Sequence, residues 1–408
     1  MTTINDRYQE ALFRHAIGVE GYEEYLAATL AEILRKTEDD LIGQIFVQYE
    51  KLGTSTTGRH LTKAKLKRLN AMLGKIKELR NTAWADVNMH LRSELWDFAN
   101  VEADFVRDAF EKVVGLEGIS LAAPSAAVLR SAVFTDPFRL NDKRSGTLAE
   151  WMAGLRESDQ DRIHDALRMG YIEGQPVETV IQRIRGTRAG QYRDGILQTT
   201  RRGADAIVRT GLLHFGNSAR DLVWAGNADV IGGLVWTSTL DGRTTPVCQA
   251  RSGRIAMFGN REVPKGFKLL VPANARPPAH ALCRSLMVAV IDGVGMIGTR
   301  PFVVDTRTGK QLKIDFRKLA RQNGTTIGVE RKKWAVKHVG RAPSKTTYED
   351  FLRNQSIEFQ DEVLGPTRGK LFREGGLTLD DLVDRSGRQY NLAELRSRDA
   401  EAFFAAGL

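Results

Sequence analysis

Residues 234–253 read LVWTSTLDGRTTPVCQARSG, and after 23 more residues the chain reads PPAHALCRS at 277–285. The run LVWTSTL is rich in β-branched and aromatic residues and predicts a strand, and Asp241-Gly242-Arg243-Thr244 is a turn signal. LMVAVI at 286–291 predicts a second strand. Between them, PKGFKLLVPANARPPA at 264–279 holds four prolines, which predicts an ordered but irregular loop over the surface. The same two stretches contain Cys248 and Cys283, the only cysteines of the chain, and His280 three residues before the second.

Upstream, the pattern is helical. Apolar residues recur at three- and four-residue spacing from 5 to about 52 and from 61 to about 114, as in Leu66, Leu69, Leu73, Ile76 and Leu79. The break between these segments is GTSTTGRH at 53–60. Gly53 and Gly58 have the outer spacing of a phosphate loop, but Arg59 follows the second glycine and no apolar strand precedes the first, so a polar loop is the better reading. GLEGISLAAPSAA at 115–127 predicts a linker. From 146 the helical pattern returns in TLAEWMAGLR, in a segment beginning at Ser158, in a helix starting at Pro176, and in a long helix reaching about 224. Three starts near the C-terminus carry a capping box or its acidic variant: Thr347 with Asp350, Thr378 with Asp381, and Asn391 with Glu394. The expected class is α+β, mostly α: a helical N-terminal region at 1–145, an α+β domain at 146–298 and a small mixed extension at 299–408.

The 408 residues are 42% apolar, enough for packed cores without disulfides. No apolar stretch nears the roughly 20 residues of a spanning helix, and the N-terminus lacks a basic and apolar leader, so a soluble, cytosolic chain is expected. The formal charge of +10 is uneven. Residues 307–345 hold twelve Lys/Arg against Asp315 and Glu330, and residues 51–80 hold nine against Glu78. In 51–80 the apolar face sets Lys65, Lys67 and Lys75 on the solvated side of a packed helix. RKKWAVKHVGR at 331–341 interleaves cations with an aromatic residue, a pattern suited to sequence-independent contact with nucleic acid through Arg331, Lys332, Lys333, Trp334 and Lys337.

Cys248, His280 and Cys283 admit several chemistries. As metal ligands they are three of the four a structural zinc site wants, with Asp241 as a less usual fourth. As buried apolar thiols beside a hydrogen-bonded histidine they need no metal. A Cys/His nucleophile pair is formally open. A zinc deaminase is excluded, because Ala281 and Leu282 follow His280 and Cys283 has no Cys-x-x-Cys partner.

The ordered set Trp236, Ser238, Asp241, Arg243, Thr244, Cys248, Gly253, Pro278, His280, Cys283, Arg284 and Ser285 resembles the signature of the phage Mu F-like minor head proteins, or phage head morphogenesis proteins. The helices before it resemble the family's lead-in, so the resemblance covers roughly 150–292, and the last hundred residues are similar to an extension on some members. It implies a low-copy structural virion protein, not an enzyme, acting in procapsid and head assembly and DNA packaging near the portal. Its implied partners are the portal protein, the major capsid or scaffolding protein and packaged double-stranded DNA, with no membrane. Its implied place is the head interior or portal vertex, after host cytoplasm during assembly, with ejection alongside the genome. Many relatives carry further cysteines where this chain has Thr245 and Ser285, a departure that argues against a full zinc site here. In physical terms, Trp236 is expected to anchor the motif, and Arg243 and Arg284 to bind Asp241 or backbone carbonyls. The competing class is a DNA-acting effector or nuclease delivered with the phage genome, for which a cluster of His, Asp and Glu or a Lys/His pair is expected beyond residue 300, where the one histidine is His338 in a basic run. A host DNA-binding protein would need a recognition-helix module, and none is visible.

Overall fold

The side chain of Thr3 accepts from the backbone of Asp6, whose carboxylate accepts in return from the backbone of Thr3, and this capping box opens helix α1 (Ile4–Lys36). The computed structural model describes residues 3–52, 62–115, 120–141, 144–291 and 299–408. The GTSTTGRH loop therefore lies outside the described residues, as do 116–119 of the expected linker. Helix α2 (Glu38–Leu52) and the 52-residue α3 (Lys63–Val114) follow, and α3 ends where Gly115 turns left-handed at φ +65°. After α4 (Ala126–Phe134) and a two-stranded hairpin, β1 (Phe138–Asn141) and β2 (Arg144–Gly146), come α5 (Leu148–Ile172), α6 (Val177–Arg185) and α7 (Ile196–Gly226).

The expected helix start at Ser158 does not occur. Helix α5 is already running from its capping box at Thr147 and Glu150, and Asp159 turns inward to bind the buried Arg80 of α3 at 2.8 Å, the Trp84 indole at 3.0 Å and the Thr200 hydroxyl of α7 at 2.7 Å. Pro176 stands at the N-cap of α6, and Val180 and Ile184 are buried as their spacing requires. In α3, Leu69, Leu73 and Ile76 are buried while Lys67 and Lys75 are exposed, so these cations lie on the helix's solvated side.

The strands form three sheets. In the four-stranded one, β3 (Ile231–Thr237) runs antiparallel to β7 (Leu286–Ile291) on one side and to β5 (Arg254–Met257) on the other, with the short β6 (Lys268–Leu269) beyond β5. Both predicted strands are thus present and adjacent, and both are buried along their whole length. One face packs Leu234, Trp236 and Met287 into the helical core, and the other packs Val235, Ile255 and Val290 into a smaller cluster. After Thr237 the chain passes directly into β4 (Leu240–Asp241), which leaves the first sheet and pairs in parallel with β8 (Thr299–Val303) of a sheet ordered β4-β8-β9 (β9, Val339–Pro343). The helix α8 (Pro246–Arg251) fills the return to β5.

The C-terminal part adds α9 (Gly309–Asn323), α10 (Ile327–His338), α11 (Tyr348–Arg353), α12 (Ile357–Leu364), α13 (Pro366–Arg373), α14 (Leu392–Arg398) and α15 (Ala400–Ala405). Capping boxes form at Thr347 with Asp350 and at Asn391 with Glu394. Thr378 makes the same bonds to Asp381, but a turn follows and no helix. The class is α+β, mostly α, with a helical N-terminal region.

The expected boundary near 145 does not divide the apolar core. One cluster joins α1, the second half of α3, α7, β3 and β7, and Trp224 of α7 donates to the Tyr8 hydroxyl of α1, which donates to the Val106 carbonyl of α3. The C-terminal segments have their own core, but Leu240 of β4 belongs to it. The signature segment is therefore shared between two sheets and two cores. Among the described residues no helix is long and apolar enough to cross a membrane.

Candidate metal centre and signature network

The two signature halves close on each other through a buried carboxylate. Asp241, 2% exposed at the end of β4, accepts from Arg284 at 2.6 and 2.9 Å in a two-pronged contact, from the Arg243 backbone at 3.1 Å and guanidinium at 3.3 Å, and from the Thr244 hydroxyl at 3.2 Å. Burial alone disfavours the carboxylate charge, and the Arg284 and Arg243 guanidiniums outweigh it, so the Asp241 carboxyl is held below its ordinary range. The Trp236 indole donates to the Ser238 hydroxyl at 3.1 Å, and that hydroxyl donates to the Cys248 carbonyl, which ties β3 to α8. The expected anchor and its expected partners are all in place.

The motif also meets the C-terminal part. The Tyr348 hydroxyl donates to the Asp241 carbonyl at 2.7 Å, and the Tyr348 N–H donates to the Ser252 hydroxyl at 3.0 Å. Gly253 has φ +80°, and a Cβ there would lie 2.6 Å from Thr347 Cγ2, so only glycine lets this turn touch the cap of α11. Sequence reasoning missed Tyr348 and also Arg300, which is 4% exposed and donates to the carbonyls of Ser238 and Thr346. For Arg300 a signal existed: in TRPFV it shares strand parity with Phe302, which faces the C-terminal core.

Cys248 on α8 and the His280–Cys283 turn come together. Cys248 Sγ is 3.6 Å from Cys283 Sγ and 3.4 Å from His280 Nε2, and the three ligand atoms all lie within 4.8 Å of one another. Tetrahedral coordination with metal–sulfur bonds of about 2.3 Å and metal–nitrogen bonds of about 2.0 Å puts sulfurs about 3.8 Å apart and sulfur and nitrogen about 3.5 Å apart. The trio has the spacing and the donors to hold a metal ion. His280 Nδ1 donates to the Ala281 carbonyl at 2.8 Å, which fixes the tautomer whose Nε2 carries the lone pair, and Nε2 meets the Thr245 hydroxyl at 2.8 Å. The Cys248–Cys283 hydrogen bond divides the pair: it and the nearby His280 hold the Cys283 thiol well below its ordinary range, while it and burial push the Cys248 thiol up.

Asp241 does not join this trio, because both its oxygens are taken by arginines. The positions where a fourth sulfur was missed in the sequence are close by: Thr245 Oγ1 lies 2.8 Å from His280 Nε2, and Ser285 hydrogen-bonds with Cys248.

The basic segment folds as α9, α10 and β9. Arg331, Lys332 and Lys337 are exposed on α10, and Lys333, also exposed, pairs with Glu330 at 3.0 Å. Trp334 is no stacking platform for bases: its indole N–H is held by Asp305 at 2.7 Å, and its ring packs between Phe316 and His338. No protein-family model, no curated protein and no solved structure matches this chain.

Proposed function

We propose that the chain is a phage minor head protein of the Mu F-like type, a low-copy component that works beside the portal during head assembly and shares the head with packaged DNA. One observation carries the proposal: the signature residues are used to build a joint. The acid of the motif, Asp241, is consumed by two arginines, and the hydroxyl of Ser238 is given to a carbonyl. Its glycine, Gly253, sits at the seam with α11. Such a joint suits a protein whose work is to hold a shape against its neighbours.

The ion that suits the trio is zinc, which takes thiolate and imidazole ligands in four-coordinate structural sites. Cys248, His280 and Cys283 supply three positions, and a neutral oxygen from Thr245, Ser285 or solvent supplies the fourth. Bound there, the ion ties α8 to the turn before β7. Contact with packaged double-stranded DNA falls to exposed cations of α9 and α10, among them Arg331, Lys332 and Lys337, without base readout. The portal and the capsid or scaffolding protein are the assembly partners that the family resemblance implies. A nuclease or other effector reading gains nothing from the C-terminal part. Its one histidine, His338, hydrogen-bonds the Trp334 carbonyl through Nδ1 and stacks on that ring.

The test is co-production of the full chain with the portal and major capsid proteins of its own phage, followed by gradient sedimentation and quantitative mass spectrometry of the particles. The chain is expected in particle fractions at a few to a few tens of copies. Complete recovery at the top of the gradient would contradict the proposal.

A further inference from the structure

Among the described residues, Arg300 is a buried cation without an anion. It reaches from β8 toward the end of β3, and its guanidinium meets the carbonyls of Ser238 and Thr346 and the face of Phe13 at 5.4 Å. Both oxygens it meets are uncharged, and its Nε has no acceptor among the described residues. Ser344, 5% exposed, has a hydroxyl that likewise meets no partner among the described residues. Both groups line one small cavity with Gln9 of α1, Thr237 of β3 and Lys345. Among the described residues, none that lines it is acidic.

We propose that this cavity binds a single monoatomic anion of the halide class. The lining offers the buried guanidinium with its Nε–H and a buried serine hydroxyl, both able to donate, and it carries net positive charge to which the exposed Lys345 adds. Volume sets the ligand's size: the cavity measures about 10 Å³, room for one small particle only, so a halide seats there by displacing the long side chain of the exposed Lys345. Sulfate, phosphate and carboxylates are too large. Burial pulls Arg300 down to about 9, and no neighbouring charge contributes, as expected of a cation whose counter-ion is not part of the chain. The larger cleft of about 160 Å³ between α8 and residues 380–387 is different, since it supplies its own neutralisation in the Arg254–Asp380 ion pair. The anion would sit where α1, β3 and the segment before α11 converge, and would clamp the N-terminal helices, the signature strand and the C-terminal part together.

The experiment is thermal unfolding of the full chain in sodium chloride, sodium bromide or sodium gluconate at one fixed ionic strength. Chloride and bromide are expected to raise Tm saturably above gluconate, which is too large for the cavity. Because Arg300→Met removes two structural hydrogen bonds and can fail to fold, the informative variant is Ser344→Asp. It sets a carboxylate beside the guanidinium and is expected to fold with a Tm independent of the anion. Crystals grown in bromide are expected to show an anomalous peak at the cavity. Equal Tm in chloride and gluconate, an undiminished halide response in Ser344→Asp, or water alone in the cavity of bromide crystals would each overturn the proposal.

Discussion

Replacing Asp241 by alanine removes the charge on which the two signature halves meet. The side chain of Asp241 is 4% exposed, and those of Arg284 and Arg243 are 27% and 36% exposed. The loss therefore lies between that of a surface pair, at most about 1 kcal/mol, and that of a fully buried pair broken on one side, about 3–5 kcal/mol. The two-pronged contact to Arg284 and the bonds from Thr244 and the Arg243 backbone place it near the upper range, at about 3 kcal/mol. For one cooperative transition of a chain this size, with an unfolding entropy near 2 cal/mol/K per residue, that is a fall in Tm of roughly 3–4 °C. Asp241→Asn keeps the shape and some acceptor capacity, so its loss is smaller and pH-dependent. The folded carboxyl lies below its unfolded value of about 3.9, so the ion pairing stabilises the fold above that pH and is lost as pH falls through the folded value. The gap between wild type and Asp241→Asn is thus flat from pH 7 to 5 and closes below about pH 4. Urea and thermal unfolding across that range supply the assay. An Asp241→Ala protein that melts with wild type, or a gap that widens in acid, refutes the architectural role of this carboxylate.

Gly253→Ala forces a left-handed φ on a residue with a Cβ and drives it into Thr347, so a loss of about 2–3 kcal/mol is expected, with earlier proteolytic release of the C-terminal part. Cobalt(II) added to the metal-free full chain is expected to give sulfur-to-metal charge-transfer absorption that Cys283→Ser abolishes; absence of the band in wild type removes the metal from the account. Changing Arg331, Lys332 and Lys337 together to alanine is expected to lower the salt slope of DNA binding by about 2–3, read by fluorescence anisotropy; an unchanged slope moves the DNA contact elsewhere. His214 is half-buried, with Nε2 shielded from solvent, and this desolvation holds it down to about 4. Because the unfolded histidine takes up its proton first, wild type should lose up to about 3 kcal/mol as pH falls from 6.5 to 4. His214→Phe should remove that part of the slope, and parallel slopes for the two proteins would show that His214 is not its source.

Features fixed by local chemistry were legible in the sequence. The strands β3 and β7 followed from runs of β-branched residues, and the caps at Thr347 and Asn391 from their box residues. The box at Thr378 misled because its two hydrogen bonds form in a turn as readily as in a helix. Ser158 misled because a capping residue is silent inside a helix already nucleated at Thr147. The continuity of the core across the expected boundary near 145 was invisible, since only tertiary packing reveals that Tyr8, Val106 and Trp224 are joined. The partnership of Asp241 with Arg243 and Arg284 could be anticipated from charge. The distances in the trio could not, because 32 residues separate Cys248 from His280 and nothing local sets that closure. Trp334 was misassigned because an aromatic residue in a basic run reads the same whether it stacks on a base or, as here, anchors the helix to Asp305.

The most direct test of the signature as a joint compares folding with assembly in one set of proteins: Asp241→Asn, His280→Gln, Cys283→Ser and Trp236→Phe, each measured for Tm and for incorporation into head particles. Incorporation is expected to track the folded fraction across the set, with each variant restored at a temperature where it is fully folded. A variant that melts like wild type yet never enters particles would contradict the account, because its side chain would then be acting on a partner or a reaction.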